Sequence, residues 1–139
     1  MAGVHQATIE IATAGKGFRD VSDEVRAVVR ESGIRTGICT VFVQHTSASL
    51  IIQENADPSV RRDLEAWMSE LAPETRRWEH DDEGADDMPA HARAAITKTS
   101  ETIPVGGGSL LLGTWQALYL WEHRTRPNRR KLVITVLGA

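Results

Sequence analysis

Apolar and polar positions alternate loosely over residues 4–12 (VHQATIEIA), and the run stops at Gly15 and Gly17, which predicts an opening edge strand. Val21, Val25, Val28 and Val29 then follow helical spacing between a capping residue at Asp20 or Ser22 and Gly33, predicting a helix over 21–32. Residues 37–44 (GICTVFVQ) and 46–54 (TSASLIIQE) are β-branched and apolar enough for two strands, paired as a hairpin or continuous through a bend. Asp57-Pro58 is a strong helix start, because Asp accepts from the free N–H groups and Pro needs none at the first helical position. The stripe Val60, Leu64, Trp67, Met68 and Leu71 carries that helix to Pro73. A polar loop over 73–88 leads to a short Ala-rich helix over 89–97. Residues 100–105, 109–121 and 129–137 read as strands in a meander, with Gly113 marking a bend in the longest.

The order β-α-β-β-α-(loop, short α)-β-β-β predicts an α+β domain with an antiparallel or mixed sheet system. In the longest strand Leu110, Leu112, Leu118 and Leu120 point one way and Leu111, Trp115, Tyr119 and Trp121 the other. Both faces need cover, which predicts a homo-oligomer.

At 139 residues the chain is one domain, long enough to bury roughly two-thirds of its unfolded surface without disulfides. Cys39 is the only cysteine, so no intrachain disulfide forms, and with no leader-like start the expectation is a cytoplasmic protein. The longest apolar run, 110–121, is interrupted by Thr114 and Gln116 and is too short for a membrane helix. A net charge of −3 argues against a general nucleic-acid binder. The local exception is the five basic residues from Arg124 to Lys131.

The five histidines, at 5, 45, 80, 91 and 123, show no i, i+4 pair among themselves and no H-x-H motif. His45 continues the apolar face of Cys39, Val41 and Val43 to the rim of the core. His91 falls in the first turn of the short helix, where the dipole favours the neutral, ligand-competent ring. His80 lies in the acidic loop before it. Two readings stand: His45, His80 and His91 as a metal site with an open position, or a strand-end histidine and two solvated ones.

His45 and Ser47 share a strand face and so form a candidate dyad, while Cys39 reads as a small buried apolar residue. Residues 54–57 place polar side chains before a helix N-terminus, serving either as a cap or an anion site. Arg124, Arg126, Arg129 and Arg130 offer forks for a phosphate or form a solvated turn. The six acidic residues between Glu79 and Asp87 are either a solvated run or hold a hard cation through Asp81, Asp82, Asp86 or Asp87.

Several segments together resemble the YjbQ family: GICTVFVQHTSASL (37–50), ENADPSVRRDL (54–64), WEH (78–80), PAHA (89–92), IPVGGGSLLLGTWQALYLWE (103–122) and the closing RRKLVITVLG. The resemblance implies a β-sandwich-like α+β fold with two main helices and a short third, assembling as a homotrimer with a polar pocket near subunit contacts. It implies a metal or phosphate site at His45, His80 and His91, as catalytic residues and as ligands, with zinc at the histidines and magnesium accompanying a diphosphate. The implied activity is that of a thiamine-phosphate synthase, a transferase that couples hydroxymethylpyrimidine diphosphate to thiazole phosphate, at least as a side reaction. A small phosphorylated substrate is then the partner, with no nucleic acid and no membrane. Asn55, Asp57, Trp115, Gln116, Glu122 and Arg126 match the family's remaining signature and are candidate substrate-binding residues. The chain departs from the family at 123–130 (HRTRPNRR), where a Gly-Pro-Arg-like turn is usual, at Trp78, where tyrosine is common, and at Pro89. The alternative function is a non-catalytic metabolite- or metal-binding trimer.

Overall fold

The computed structural model describes residues 2–139. The elements run β1 (Gly3–Thr13), β2 (Gly17–Asp20), α1 (Ser22–Ser32), β3 (Gly37–Val43), β4 (Ala48–Glu54) and α2 (Pro58–Leu71). They continue α3 (Asp87–Ile96), β5 (Ser100–Gly106), β6 (Ser109–Leu110), β7 (Gln116–Glu122) and β8 (Asn128–Gly138). Two sheets form, a larger one in the order β1-β8-β3-β5-β6 and a smaller one in the order β2-β7-β4. Every strand pair is antiparallel, and β1 sits at an edge as its loose alternation predicts.

The main core lies between the sheets. Cys39, Val41 and Val43 of β3 and Leu132, Ile134 and Val136 of β8 face it from one side, and Leu118, Leu120 and Leu50 from the other. Val25, Val28 and Val29 of α1 pack into the same cluster, and Gly33 ends the helix in the left-handed conformation at φ 68°. The outer face of the small sheet carries Tyr119 and Trp121, which pack on Phe18 of β2. Arg61 and Glu65 of α2 bond to Tyr119 Oη and Trp121 Nε1. Both residues are buried within the chain itself, so part of the cover expected from a second subunit is intramolecular. No helix among the described residues is long and apolar enough to cross a membrane.

Four expectations change. Residues 109–121 are not one strand. Gln116 folds its side chain back so that Oε1 accepts from Gly113 N at 2.8 Å, and Asn55 Nδ2 reaches the Thr114 and Gln116 carbonyls at 3.3 and 3.4 Å. The chain therefore leaves the large sheet after β6 and enters the small one at β7, and the last third is not a meander, because β8 returns between β1 and β3. β3 and β4 do not form a hairpin, since they belong to different sheets and the chain crosses over at residues 44–47. The short strand β2, four residues long, is an addition. Finally, α3 begins at Asp87, two residues before Pro89. Along α2, Trp67 and Leu71 remain exposed, and only Met68 of the predicted stripe is fully buried.

Candidate metal centre

The early start of α3 positions the site. Asp87 and His91 stand i, i+4 on one helical face, and Asp87 lies in the first turn, where the dipole favours a negative charge. Arg93, two residues on, is buried and bonds to Glu65 at 2.8 Å and Ser69 at 3.0 Å, which fixes α3 against α2. The loop before α3 delivers His80, whose Nε2 lies 2.8 Å from Asp87 Oδ2 and 3.0 Å from Glu83 Oε2. His91 Nε2 is 3.4 Å from the same Asp87 oxygen. One ligand atom from each of His80, Asp87 and His91 falls within 4.8 Å of the other two. A tetrahedral ion with bonds of about 2.0–2.2 Å holds its ligand atoms about 3.3–3.6 Å apart, and the two separations from Asp87 Oδ2, 2.8 Å to His80 and 3.4 Å to His91, lie close to that spacing.

The ring of His91 is oriented for this. Its Nδ1 lies 3.2 Å from the Thr46 carbonyl oxygen, which can only accept, so Nδ1 carries a proton and Nε2 is the ring nitrogen left to serve as a ligand beside Asp87. Asp87 is buried, which alone would push its carboxyl up, but the His80 hydrogen bond and then the Arg124 and His91 charges hold it below the usual carboxylate range. His80 moves the opposite way. Its hydrogen bond to Asp87 raises it above the ordinary histidine value, against a smaller effect of desolvation and with help from Glu83.

Arg124, just after β7, braces the acidic segment. Its Nε donates to Asp86 Oδ2 at 2.9 Å, its Nη1 to Asp87 Oδ1 and its Nη2 to the Glu83 carbonyl at 3.0 Å. Its backbone N–H donates to Glu122 Oε2 at 3.1 Å. Beside His80 a cleft of about 620 Å³ opens, lined by Trp78, Glu79, His80, Asp81, Asp82 and Met88.

His45 stands outside this group. Lys131 N donates to its Nε2 at 2.8 Å, so that nitrogen serves the strand, and burial together with Arg130 lowers the ring's proton affinity despite Glu122. The fold thus assembles two of the three expected histidines, and Asp87 takes the third place. His45 does not bond Ser47 either, because Ser47 Oγ accepts from Arg130 at 3.0 Å. A Ser–His pair forms instead between Ser49 Oγ and His123 Nε2 at 2.8 Å, wholly buried. Burial pushes the Cys39 thiol up to about 11, in keeping with a packed, unreactive side chain.

The candidate substrate-binding residues separate into two ends of β7. Gln116 begins that strand and Glu122 ends it, six residues or about 20 Å apart. At the far end Asp57 caps α2 through Ser59 N at 2.9 Å, Asn55 and Gln116 clasp the 113–116 turn, and Trp115 is exposed. At the near end Glu122 is buried against Arg130, with Thr13 Oγ1 donating to it at 2.6 Å. Arg126 is exposed on the turn, where its carbonyl accepts from Asn128 Nδ2 at 2.9 Å. The arginine that reaches the site is Arg124.

The profile of the "UPF0047 protein YjbQ-like" family matches residues 7–139. The chain belongs to the YjbQ family. Among YjbQ relatives, the UPF0047 protein sll1880 of Synechocystis is 56% identical over 135 residues, covering 96% of this chain and 92% of that one. The UPF0047 protein YjbQ of Escherichia coli O157:H7 is 38% identical, with 96% and 98% covered. In three dimensions the chain superposes on a YbjQ-like protein of unknown function from Sulfolobus solfataricus with a TM-score of 0.92, at 28% identity over the whole of both chains. A YjbQ/UPF0047 protein from Clostridium acetobutylicum gives 0.87 at 32% identity, covering 94% of this chain and 98% of that one.

Proposed function

We propose that this YjbQ-family chain is a metal-dependent enzyme that holds a divalent ion of the zinc class between His80, Asp87 and His91 and acts on a small phosphorylated substrate in the adjoining cleft. The observation that carries this reading is His91, whose Nδ1 is fixed on the Thr46 carbonyl while Nε2 faces the Asp87 oxygen that also meets His80. Two imidazole nitrogens and one carboxylate oxygen are a donor set suited to zinc, with one position left for a substrate group. A bound divalent ion supplies positive charge where an oxygen becomes negative as a bond breaks. Arg76 and Arg77 flank a second hollow that shares Trp78 and His80, and Arg76 lies 4.9 Å over the Trp78 ring. These two arginines are placed to bind a phosphate beside the cleft.

The transferase reaction of the thiamine-phosphate synthase type is the specific activity we assign, at least as a side reaction. It is supported by the family resemblance and by the positive charge available to neutralise the diphosphate that leaves with the bonding pair of the broken C–O bond, with magnesium entering on that substrate. Incubating the zinc-loaded protein with hydroxymethylpyrimidine diphosphate, thiazole phosphate and magnesium should yield thiamine phosphate, and His91→Ala should abolish the yield. No product from the wild type contradicts the transferase assignment.

One observation favours the non-catalytic reading. Glu83 Oε2 lies 3.0 Å from His80 Nε2, near enough that a movement of this exposed side chain would bring it to the fourth position and close the site as in structural centres. Zinc that binds but does not respond to any added phosphate ester supports that alternative.

The homotrimer is likewise our proposal. Leu137 stands directly across from Val4 on one side and Ile38 on the other, all three exposed on the outer face of the large sheet. Such a strip supports burial against further copies of the chain.

A further inference from the structure

We propose that Arg124 determines how Asp87 binds the metal and thereby makes the site selective for a four-coordinate ion of the zinc class over magnesium or calcium. The inference rests on the metal reading above and adds a positioning residue to it.

The two oxygens of Asp87 have different neighbours. Oδ1 receives the Arg124 Nη1 hydrogen bond, whereas Oδ2 faces both imidazoles, at 2.8 Å from His80 and 3.4 Å from His91. A carboxylate with one oxygen committed to a charge-assisted bond offers the other oxygen alone. The set then presents three single-atom donors, two of them nitrogen, which matches the low coordination number and mixed ligands of zinc. Calcium takes six to eight oxygens and magnesium a near-octahedral oxygen shell, and both are disfavoured.

The guanidinium cannot swing away to release Oδ1. Its Nε is held by Asp86 Oδ2 at 2.9 Å and its Nη2 by the Glu83 carbonyl at 3.0 Å. The backbone N–H of the same residue is tied to Glu122, a buried side chain at the end of β7. The planar fork serves three acceptors at once, and the single ammonium point of lysine cannot do this in the same geometry. Without Arg124, Oδ1 is free to become a second ligand oxygen and the coordination number rises.

The test compares the wild type with Arg124→Ala, Arg124→Lys and Asp86→Asn, each titrated with zinc and separately loaded with cobalt(II). Cobalt(II) absorbs strongly in the visible when four-coordinate and weakly at higher coordination. The expected result is an intense cobalt spectrum in the wild type, a weak one in both Arg124 variants and a 10–100-fold loss of zinc affinity in them, the usual effect of removing a residue that orients a ligand. Asp86→Asn keeps an acceptor oxygen for Arg124 Nε while removing a negative charge beside the site, so the fork stays in place and the intense spectrum should persist. Should the alanine variant not fold, Arg124→Met, which keeps an unbranched stem and carries no donor, takes its place.

An unchanged spectrum and affinity in the Arg124 variants overturns the proposal. So does the same loss in Asp86→Asn, which would mean that the charge balance around the site, and not the Arg124–Asp87 bond, sets the coordination. Wild type that binds no zinc overturns the metal reading and this inference with it, whereas zinc bound equally by wild type and variants overturns this inference alone.

Discussion

His91 Nδ1 is hydrogen-bonded to the carbonyl oxygen of Thr46 at 3.2 Å, which couples the second turn of α3 to the crossover between the two sheets. The contact orients a ring whose other nitrogen faces Asp87, so a backbone carbonyl with no reactive role positions the nitrogen proposed as a metal ligand.

His45, by contrast, serves the backbone. Replacing it with alanine leaves the Lys131 N–H without its 2.8 Å partner and should cost about 1 kcal/mol of stability while zinc stoichiometry stays at the wild-type level. Denaturant unfolding together with a zinc titration checks both parts. Loss of zinc in this variant would restore His45 as a ligand.

Proton competition at the site follows from His80. Its Nε2 faces two acceptors, Asp87 and Glu83, and therefore donates, so zinc must displace that proton. Because the Asp87 bond raises the folded pKa above its ordinary value, zinc affinity should fall as pH drops through that raised value, at a higher pH than for an unperturbed histidine. Titrations from pH 8.5 to 5.5 should show the fall, and Glu83→Gln should shift it to lower pH. A flat profile would contradict the assignment of His80 as a ligand.

Stability of the metal-free protein carries a second titration of opposite sign. Burial, then Arg93 and Arg130, hold His123 down to about 3, so it stays neutral in the fold while the unfolded chain takes a proton below about pH 6.5. Stability from this group is present above about pH 6.5 and is lost toward pH 3 at about 1.4 kcal/mol per pH unit. The raised His80 contributes the reverse, with stability present below about pH 6.5 and lost as pH rises through its folded value. His123→Gln should flatten the acid limb of a pH series of denaturation midpoints, and an unchanged limb would exclude His123 as its source.

The Glu122–Arg130 pair is structural in this fold. Glu122 accepts from Thr13 Oγ1, Arg130 Nε and Nη2, and Arg124 N while 1% exposed. Truncation to alanine leaves Arg130 buried and unpaired and should cost about 3–5 kcal/mol, read as a lowered denaturation midpoint. A drop below about 1 kcal/mol would mean that water reaches the pair.

Much of this molecule is legible in the sequence where one physical rule dominates. The Asp57-Pro58 start of α2, the Gly33 end of α1 and the alternation of β8 each follow from local chemistry, and the structure has them. The crossovers are not local. Residues 109–121 look like one apolar strand because residues 110–112 and 117–121 are all apolar, but β6 and β7 lie in different sheets, and the break depends on Gln116 reaching back to Gly113. That Asp87 joins His80 and His91 is hidden in the sequence for a similar reason. Starting α3 at Pro89 hides the i, i+4 relation of Asp87 to His91, and extending it by two residues exposes the D-x-x-x-H spacing. That Arg124, and not Arg126, meets the acidic segment depends on a tertiary contact 37 residues apart in sequence, which no local pattern encodes.

The proposed trimer has its own check. Leu137→Lys places a charge in the exposed strip with Val4 and Ile38 and should convert a trimer into monomers in light scattering. A wild-type monomer at micromolar concentration would remove the proposal.

The central claim is the ligand set His80, Asp87 and His91, and metal content per subunit tests it most directly. Elemental mass spectrometry on untagged protein purified without added metal or chelator should give near one zinc per chain, and none for His91→Ala or Asp87→Ala, while His45→Ala keeps its zinc. Metal absent from the wild type, or retained in both the His91 and Asp87 variants, would contradict the account.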